Sequence, residues 1–135
     1  MRLVRDRMST GLLTVAPDTT MFDVINLFKG RRFRHLLVVD DVGKLVGVIS
    51  ERDAAGRATG PMSWLDDAEM DQALHEMRAR EVMTDEIKTI RSDAALTDAA
   101  NVVIDAKIGC LPVVDDGVLV GILCESDFVR EVAGR

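Results

Sequence analysis

The densest cluster of reactive polar groups lies in GRRFRHLLVVDD, Gly30 to Asp41, where Arg31, Arg32, Arg34 and His35 crowd against an apolar run. Such a knot of cations serves one of two ends. It binds a phosphate, or it forms a solvated positive patch balanced by Asp40 and Asp41. The matching stretch further along, AKIGC (Ala106 to Cys110), supplies Lys107 as its one cation. Two other short segments place a carboxylate three residues after a small side chain: SERD (Ser50 to Asp53) and CESD (Cys124 to Asp127). Ser50 and Asp53 have the spacing of a variant helix capping box, worth about 1 kcal/mol without any ligand. Cys124 stands where the capping serine would be, which weakens that role for Asp127. Cys110 and Cys124 have no metal-ligand spacing and make no disulfide framework. They read as two small apolar residues in a reducing cytoplasm. The Asp-Asp pairs read as turns, not as metal ligands.

The bulk properties narrow the uses. The 135 residues suffice for one compact domain, and 47% hydrophobic with 30% charged residues is a globular composition. Acidic residues outnumber basic ones, 23 to 17, for a net charge of −6, so a general nucleic-acid binder is excluded and any phosphate binding must be local. No apolar run approaches the roughly 20 residues of a membrane span. The opening MRLVRDRMST has no apolar signal segment, which points to a cytoplasmic protein. No nucleophile–base pair, phosphate-binding loop or metal cluster is visible, so catalysis is not expected.

Positioning these groups is a duplicated unit. MSTGLLTVAPDTTMFDVINLF (Met8 to Phe28) aligns with MTDEIKTIRSDAALTDAANVV (Met83 to Val103), Met8 over Met83, Thr14 over Thr89, Asp18 over Asp93 and Asp23 over Asp98. LLVVDD (Leu36 to Asp41) then lies over LPVVDD (Leu111 to Asp116), and after one extra residue, Val42, GKLVGVISERD (Gly43 to Asp53) lies over GVLVGILCESD (Gly117 to Asp127). Each copy reads as β-α-β-β-α. A short strand (12–15; 87–90) leads to a helix, marked in the first copy by Met21, Val24, Ile25 and Phe28 on one face and by Thr20 and Asp23 at its start. Two strands follow, joined by Asp40-Asp41-Val42-Gly43 or by the shorter Asp115-Asp116-Gly117, and a second helix begins near Ser50 or Cys124. Between the copies, Gly56, Gly60 and Pro61 mark a loop. Ser63 caps a helix over about 64–78 with Leu65, Ala73, Leu74 and Met77 on its packed side, Trp64 as an anchor and His75 solvated.

The repeated M-T/S start, the L-P-V-V-D-D hairpin and the L-V-G-h-h-x-E-x-D end resemble a tandem pair of cystathionine β-synthase (CBS) domains, a Bateman module. The resemblance covers almost the whole chain: 1–57 as the first repeat, 58–78 as a linker with a helix, and 79–135 as the second repeat. It implies an α+β (mixed α/β) fold of two β-α-β-β-α repeats related by pseudo-twofold symmetry, and a disc-like homodimer. It also implies a ligand class, adenosine-containing molecules (AMP, ADP or ATP, with S-adenosylmethionine or NAD(H) as alternatives). The module would be free-standing and regulatory, acting on an unidentified partner protein. An alternative is a dimerisation module with empty clefts.

Residue by residue, the resemblance puts Asp53 and Asp127 on a ribose, where an ionised carboxylate can accept from two vicinal hydroxyls. Thr14 and Thr89 fall beside base or ribose, though β-propensity also explains them. Phe33 and Ile108 fall against the adenine, or in the core. One cleft would join Thr14, Arg32, Phe33, Ser126 and Asp127, with Arg34 among the nearby cations; the other would join Thr89, Lys107, Ile108, Ser50, Arg52 and Asp53. The first has the aromatic, the arginines and a carboxylate, and is the preferred nucleotide site.

Overall fold

The computed structural model describes residues 2–29, 34–59 and 65–135, with the side chains of 57–59 left aside. Arg31, Arg32, Phe33, Ser63 and Trp64 therefore lie outside the described residues. The chain forms two compact units. One comprises Leu13–Val42 and Val46–Ile87, the other Met1–Leu12, Gly43–Leu45 and Lys88–Arg135.

In the first unit β1 (Thr14–Val15) runs parallel to β2 (His35–Val39), pairing Thr14 with Leu37 and Val15 with Val38, and β3 (Leu45–Ser50) lies on the other side of β2. Leu36, Leu37 and Val38 are buried in succession, as expected of a strand covered on both faces. α1 (Met21–Phe28) starts where the Asp23 N–H donates to the Thr20 hydroxyl at 3.2 Å, and it turns Met21, Val24 and Phe28 into the core. α2 (Glu51–Thr59) follows β3 directly. Next comes α3 (Asp67–Glu76), which is shorter than the helix predicted over about 64–78. Its cap is Asp66, whose carboxylate accepts the Glu69 N–H at 2.8 Å, in place of the expected Ser63. Leu74 is buried, with Met70 and Met77 packed on the same core. His75 is not merely solvated: its ring stacks on Phe22 with centroids 4.0 Å apart. A short α4 (Ala79–Val82) ends the ordered helices of this unit.

The second unit contains a 3-10 turn at Val4–Asp6, α5 (Leu96–Ala106), β4 (Cys110–Asp115), β5 (Val118–Cys124) and α6 (Glu125–Ala133). The predicted strand at 87–90 contracts to one parallel bridge, Ile90 to Val113; likewise β1 spans two residues instead of four. β4 and β5 form an antiparallel hairpin closed by Asp116 and Gly117 at φ +52 and +85, the two left-handed positions that a tight hairpin turn requires. The core gathers Val4, Leu96, Ala99, Val103, Leu111, Val113 and Leu123. Cys110 sits opposite Cys124, with Cα atoms 4.1 Å apart, and the two form a disulfide. This corrects the expectation of two unlinked apolar cysteines.

The opening segment of each repeat docks on the hairpin of the other. Ser9 and Ile122 exchange backbone hydrogen bonds (2.9 and 3.1 Å), and Thr84 and Val48 do the same (2.9 and 3.0 Å). Just before these points, Met8 lies over Gly121 and Met83 over Gly47, where a Cβ would stand 2.9 Å from the Met8 Cγ or the Met83 Cβ. The same segments hold the helix starts. Val4 N–H donates to Ala94 and Leu96 N–H to the Arg2 carbonyl; correspondingly, Ala79 N–H donates to Thr19 and Met21 N–H to Met77. Arg2 and Arg7 then reach Glu131 on α6 at 2.9 and 2.5 Å. Among the described residues no helix is long and apolar enough to cross a membrane.

Candidate functional site

In the first unit the start of α2 is tied back to the residue preceding β2, because the Glu51 N–H donates to the Arg34 carbonyl at 2.8 Å. This brings Arg34 and His35 beside Ser50, Glu51, Arg52 and Ala55 around an open cavity of about 580 Å³. Ser50 caps the helix, accepting the Asp53 N–H on its hydroxyl at 3.0 Å. Asp53 itself is exposed on the first turn. His35 is half-buried, and its Nδ1 is buried with no hydrogen-bond partner. Burial holds its pKa below the ordinary 6.5, with Asp53 pulling it up and Arg34 pushing it further down.

Two guanidiniums and an imidazole with an unsatisfied buried nitrogen make a wall suited to an anion, opposed by the Glu51 carboxylate. The first-turn N–H groups of α2 add their dipole at the same point. The structure thus brings Arg34, expected near the other cleft, to Ser50 and Arg52, which were expected together.

Thr14 lies elsewhere in this unit. It lines a second open cavity, about 500 Å³, with Val15, Ala16, Pro17, Asp18, Val39, Asp40 and Asp41. Its surroundings are acidic, with Asp18, Asp40 and Asp41 on the lining.

The second unit treats the equivalent residues differently. Asp127 is only 9% exposed, and its Oδ2 accepts the Cys124 N–H at 2.8 Å while Arg130 reaches Oδ1 at 3.3 Å. Loss of the serine was expected to weaken capping here; instead the aspartate supplies the cap itself. Ser126 is exposed beside it. Thr89 is exposed just before the Ile90 bridge. Lys107 is the left-handed C-cap of α5, φ +55, and Ile108 packs against the second core.

His35 and Glu51 were not among the expected site residues. Glu51 carried no signal; His35 was visible in the cation knot, but only the fold shows its nitrogen unsatisfied. The cysteine pairing was hidden by a register shift between Val113 and Val114, without which Cys110 would face Leu123.

The sequence was also compared with known proteins. The CBS domain profile matches residues 4–59 and 79–134. The CBS domain-containing protein YhcV of Bacillus subtilis (strain 168) is 31% identical over 128 residues, covering 95% of this chain and 84% of the relative. The crystal structure of CBSX2 in complex with AMP superposes with a TM-score of 0.82 at 29% identity, covering 99% of this chain and 98% of that one. CBSX2 is from Arabidopsis thaliana. The CBS domain pair of protein MJ0100, in complex with 5′-methylthioadenosine and S-adenosyl-L-methionine, gives a TM-score of 0.78 at 27% identity, with 99% and 98% covered.

Proposed function

The chain belongs to the CBS domain family as a tandem pair, and from that premise we propose that it is a regulatory module that binds an adenine nucleotide, AMP, ADP or ATP. The module performs no catalysis in this reading. It reports nucleotide levels in the cytoplasm to a partner protein, and it works as a homodimer. Exposed apolar side chains on α5 and α6 (Ile104, 68%; Val129, 66%; Val132, 90%) are consistent with a second copy of the chain.

One observation carries the choice of ligand: the cavity walled by Arg34, His35 and Arg52 at the start of α2. In this reading Arg34 and Arg52 take the phosphate. Asp53, one residue on and exposed, accepts from the ribose hydroxyls. Two fixed cations favour a phosphorylated ligand over S-adenosylmethionine, whose sulfonium is positive, although MJ0100 carries S-adenosyl-L-methionine. CBSX2 with AMP supports the same direction. The residues Thr14, Arg32, Phe33, Thr89, Lys107, Ile108 and Ser126 remain proposed contacts of secondary weight, whereas Asp127 is assigned to the helix cap that engages its carboxylate.

A thermal-shift panel with AMP, ADP, ATP, adenosine, S-adenosylmethionine, NADH and GTP tests this. At about 100-fold the Kd, a ligand that binds only the folded chain stabilises it by about 2.7 kcal/mol. A shift with the adenine nucleotides that is lost with adenosine and GTP supports the reading. No shift with any compound leaves a dimerisation module with empty clefts.

A further inference from the structure

Cys110 and Cys124 are the two ends of a short bracket. Cys110 opens β4; Cys124 closes β5 and is the N-cap of α6. They form a pair without mutual backbone hydrogen bonds, flanked by the Glu125 N–H donating to the Gly109 carbonyl at 3.0 Å. Side chains at such positions approach most closely across a ladder. Both residues are half-buried, so a reagent can reach them. The corresponding residues of the first repeat, His35 and Ser50, carry no sulfur, and there the Ser50 hydroxyl swings over the helix start to cap it. In the second repeat the sulfur is tied sideways to Cys110, and Asp127 holds the helix start in its stead.

We infer that Cys110 and Cys124 form a reversible dithiol–disulfide couple, a redox site that decides how firmly the start of α6 is held. The oxidant is a disulfide compound, small or protein-borne, and the reductant is a dithiol. In the forward direction the Cys124 thiolate attacks one sulfur of the oxidant, giving a mixed disulfide and releasing one thiolate. The Cys110 thiolate then attacks the Cys124 sulfur and releases the second. Two electrons pass to the oxidant, which leaves as two thiols, or as one dithiol where its sulfurs share a molecule, carrying the two protons that the cysteines gave up. A dithiol reverses each step. In the dithiol form the Cys124 sulfur is free to take the position that the Ser50 oxygen occupies in the first repeat, facing the Asp127 N–H, while the Asp127 carboxylate accepts the Cys124 N–H.

The full chain is equilibrated in mixtures of oxidised and reduced dithiothreitol, quenched, alkylated under denaturing conditions and weighed. The expected result is one two-electron transition from no added alkyl groups to two. Two groups in every mixture, or none in any, overturns the couple. Backbone amide exchange over Glu125 to Asp127 supplies the second reading, expected to be about 10-fold faster in the reduced chain because the bracket no longer opposes local opening. The Cys110→Ser chain should show the fast rate in every mixture. Equal exchange rates in the oxidised and reduced chains overturn the link between the couple and the cap. Neither reading involves a nucleotide, so the outcome is separate from that of the ligand proposal.

Discussion

The Asp127 carboxylate accepts the Cys124 amide N–H at 2.8 Å, whereas in the first repeat the Ser50 hydroxyl accepts the Asp53 N–H at 3.0 Å. The same two positions exchange the role of donor and cap. One aspartate is consumed in holding its helix and is 9% exposed; the other is exposed and acts electrostatically on His35.

Asp53→Ala and Asp127→Ala should therefore separate. The first is expected to weaken AMP binding by about 10-fold or more, the loss of one charge-assisted interaction, with little change in melting temperature. The second should cost about 1–2 kcal/mol of stability and leave AMP affinity within about twofold, because it removes a helix cap. Calorimetric titration and urea melts on the two variants check this. The reverse pattern would move the site to the second repeat.

Arg34→Ala and Arg52→Ala should each lower AMP affinity by about 10-fold and leave adenosine unaffected, since a guanidinium–phosphate contact is worth about 1.5–3 kcal/mol. Titrations at two salt concentrations add a second check. The native chain should lose affinity for AMP as salt rises, and each variant should lose less.

His35 sets a pH dependence. Its pKa is lowered in the folded chain, chiefly by burial, with Arg34 acting in the same direction and Asp53 against it. The unfolded chain thus takes up the proton first as pH falls through 6.5, and stability declines from there down to the folded pKa. His35→Gln should flatten the melting temperature between pH 7.5 and about 5.5. Bound phosphate beside the imidazole stabilises its charged form, so AMP should bind more tightly towards the acid end of that range. Glu131 works lower on the scale. Its hydrogen bond from Arg7, then that from Arg2, holds its pKa below 4.5, so its contribution is present above that value and is lost as pH falls further.

Gly47→Ala and Gly121→Ala should each destabilise the chain by about 1–3 kcal/mol in urea melts, through overpacking. A Cβ at Gly47 meets the Met83 Cβ at 2.9 Å, and one at Gly121 meets the Ser9 carbonyl oxygen at 3.0 Å, atoms that cannot swing aside as a side-chain tip can. Gly56→Ala is the control. Nothing lies within 4 Å of that Cβ, and inside α2 alanine is the better helix former.

The parts of this fold legible in the sequence are those governed by local chemistry. Thr20 and Met21, Val24 and Phe28 specify α1 by spacing alone, and Asp116-Gly117 specifies a tight turn because few other pairs tolerate two left-handed residues. What was hidden depends on register or on distant segments. A one-residue shift at Val113 and Val114 decides that Cys110 meets Cys124. Asp66, with Glu69 to reciprocate, takes the cap assigned to Ser63. The cavity was half visible: Ser50 and Arg52 were expected in one cleft and Arg34 near the other, and the hydrogen bond from Glu51 to Arg34 brings the three to one wall.

The exchange of opening segments bears on whether either half can stand alone. Met83 and Thr84 complete the unit that holds Gly47 and Val48, and Met8 and Ser9 complete the one that holds Gly121 and Ile122. A repeat taken alone lacks the leader that packs on its own hairpin, so each half depends on the other for that contact. Severing the chain between its halves should yield two polypeptides that stay unstructured apart and regain a cooperative melt when mixed in equal amounts.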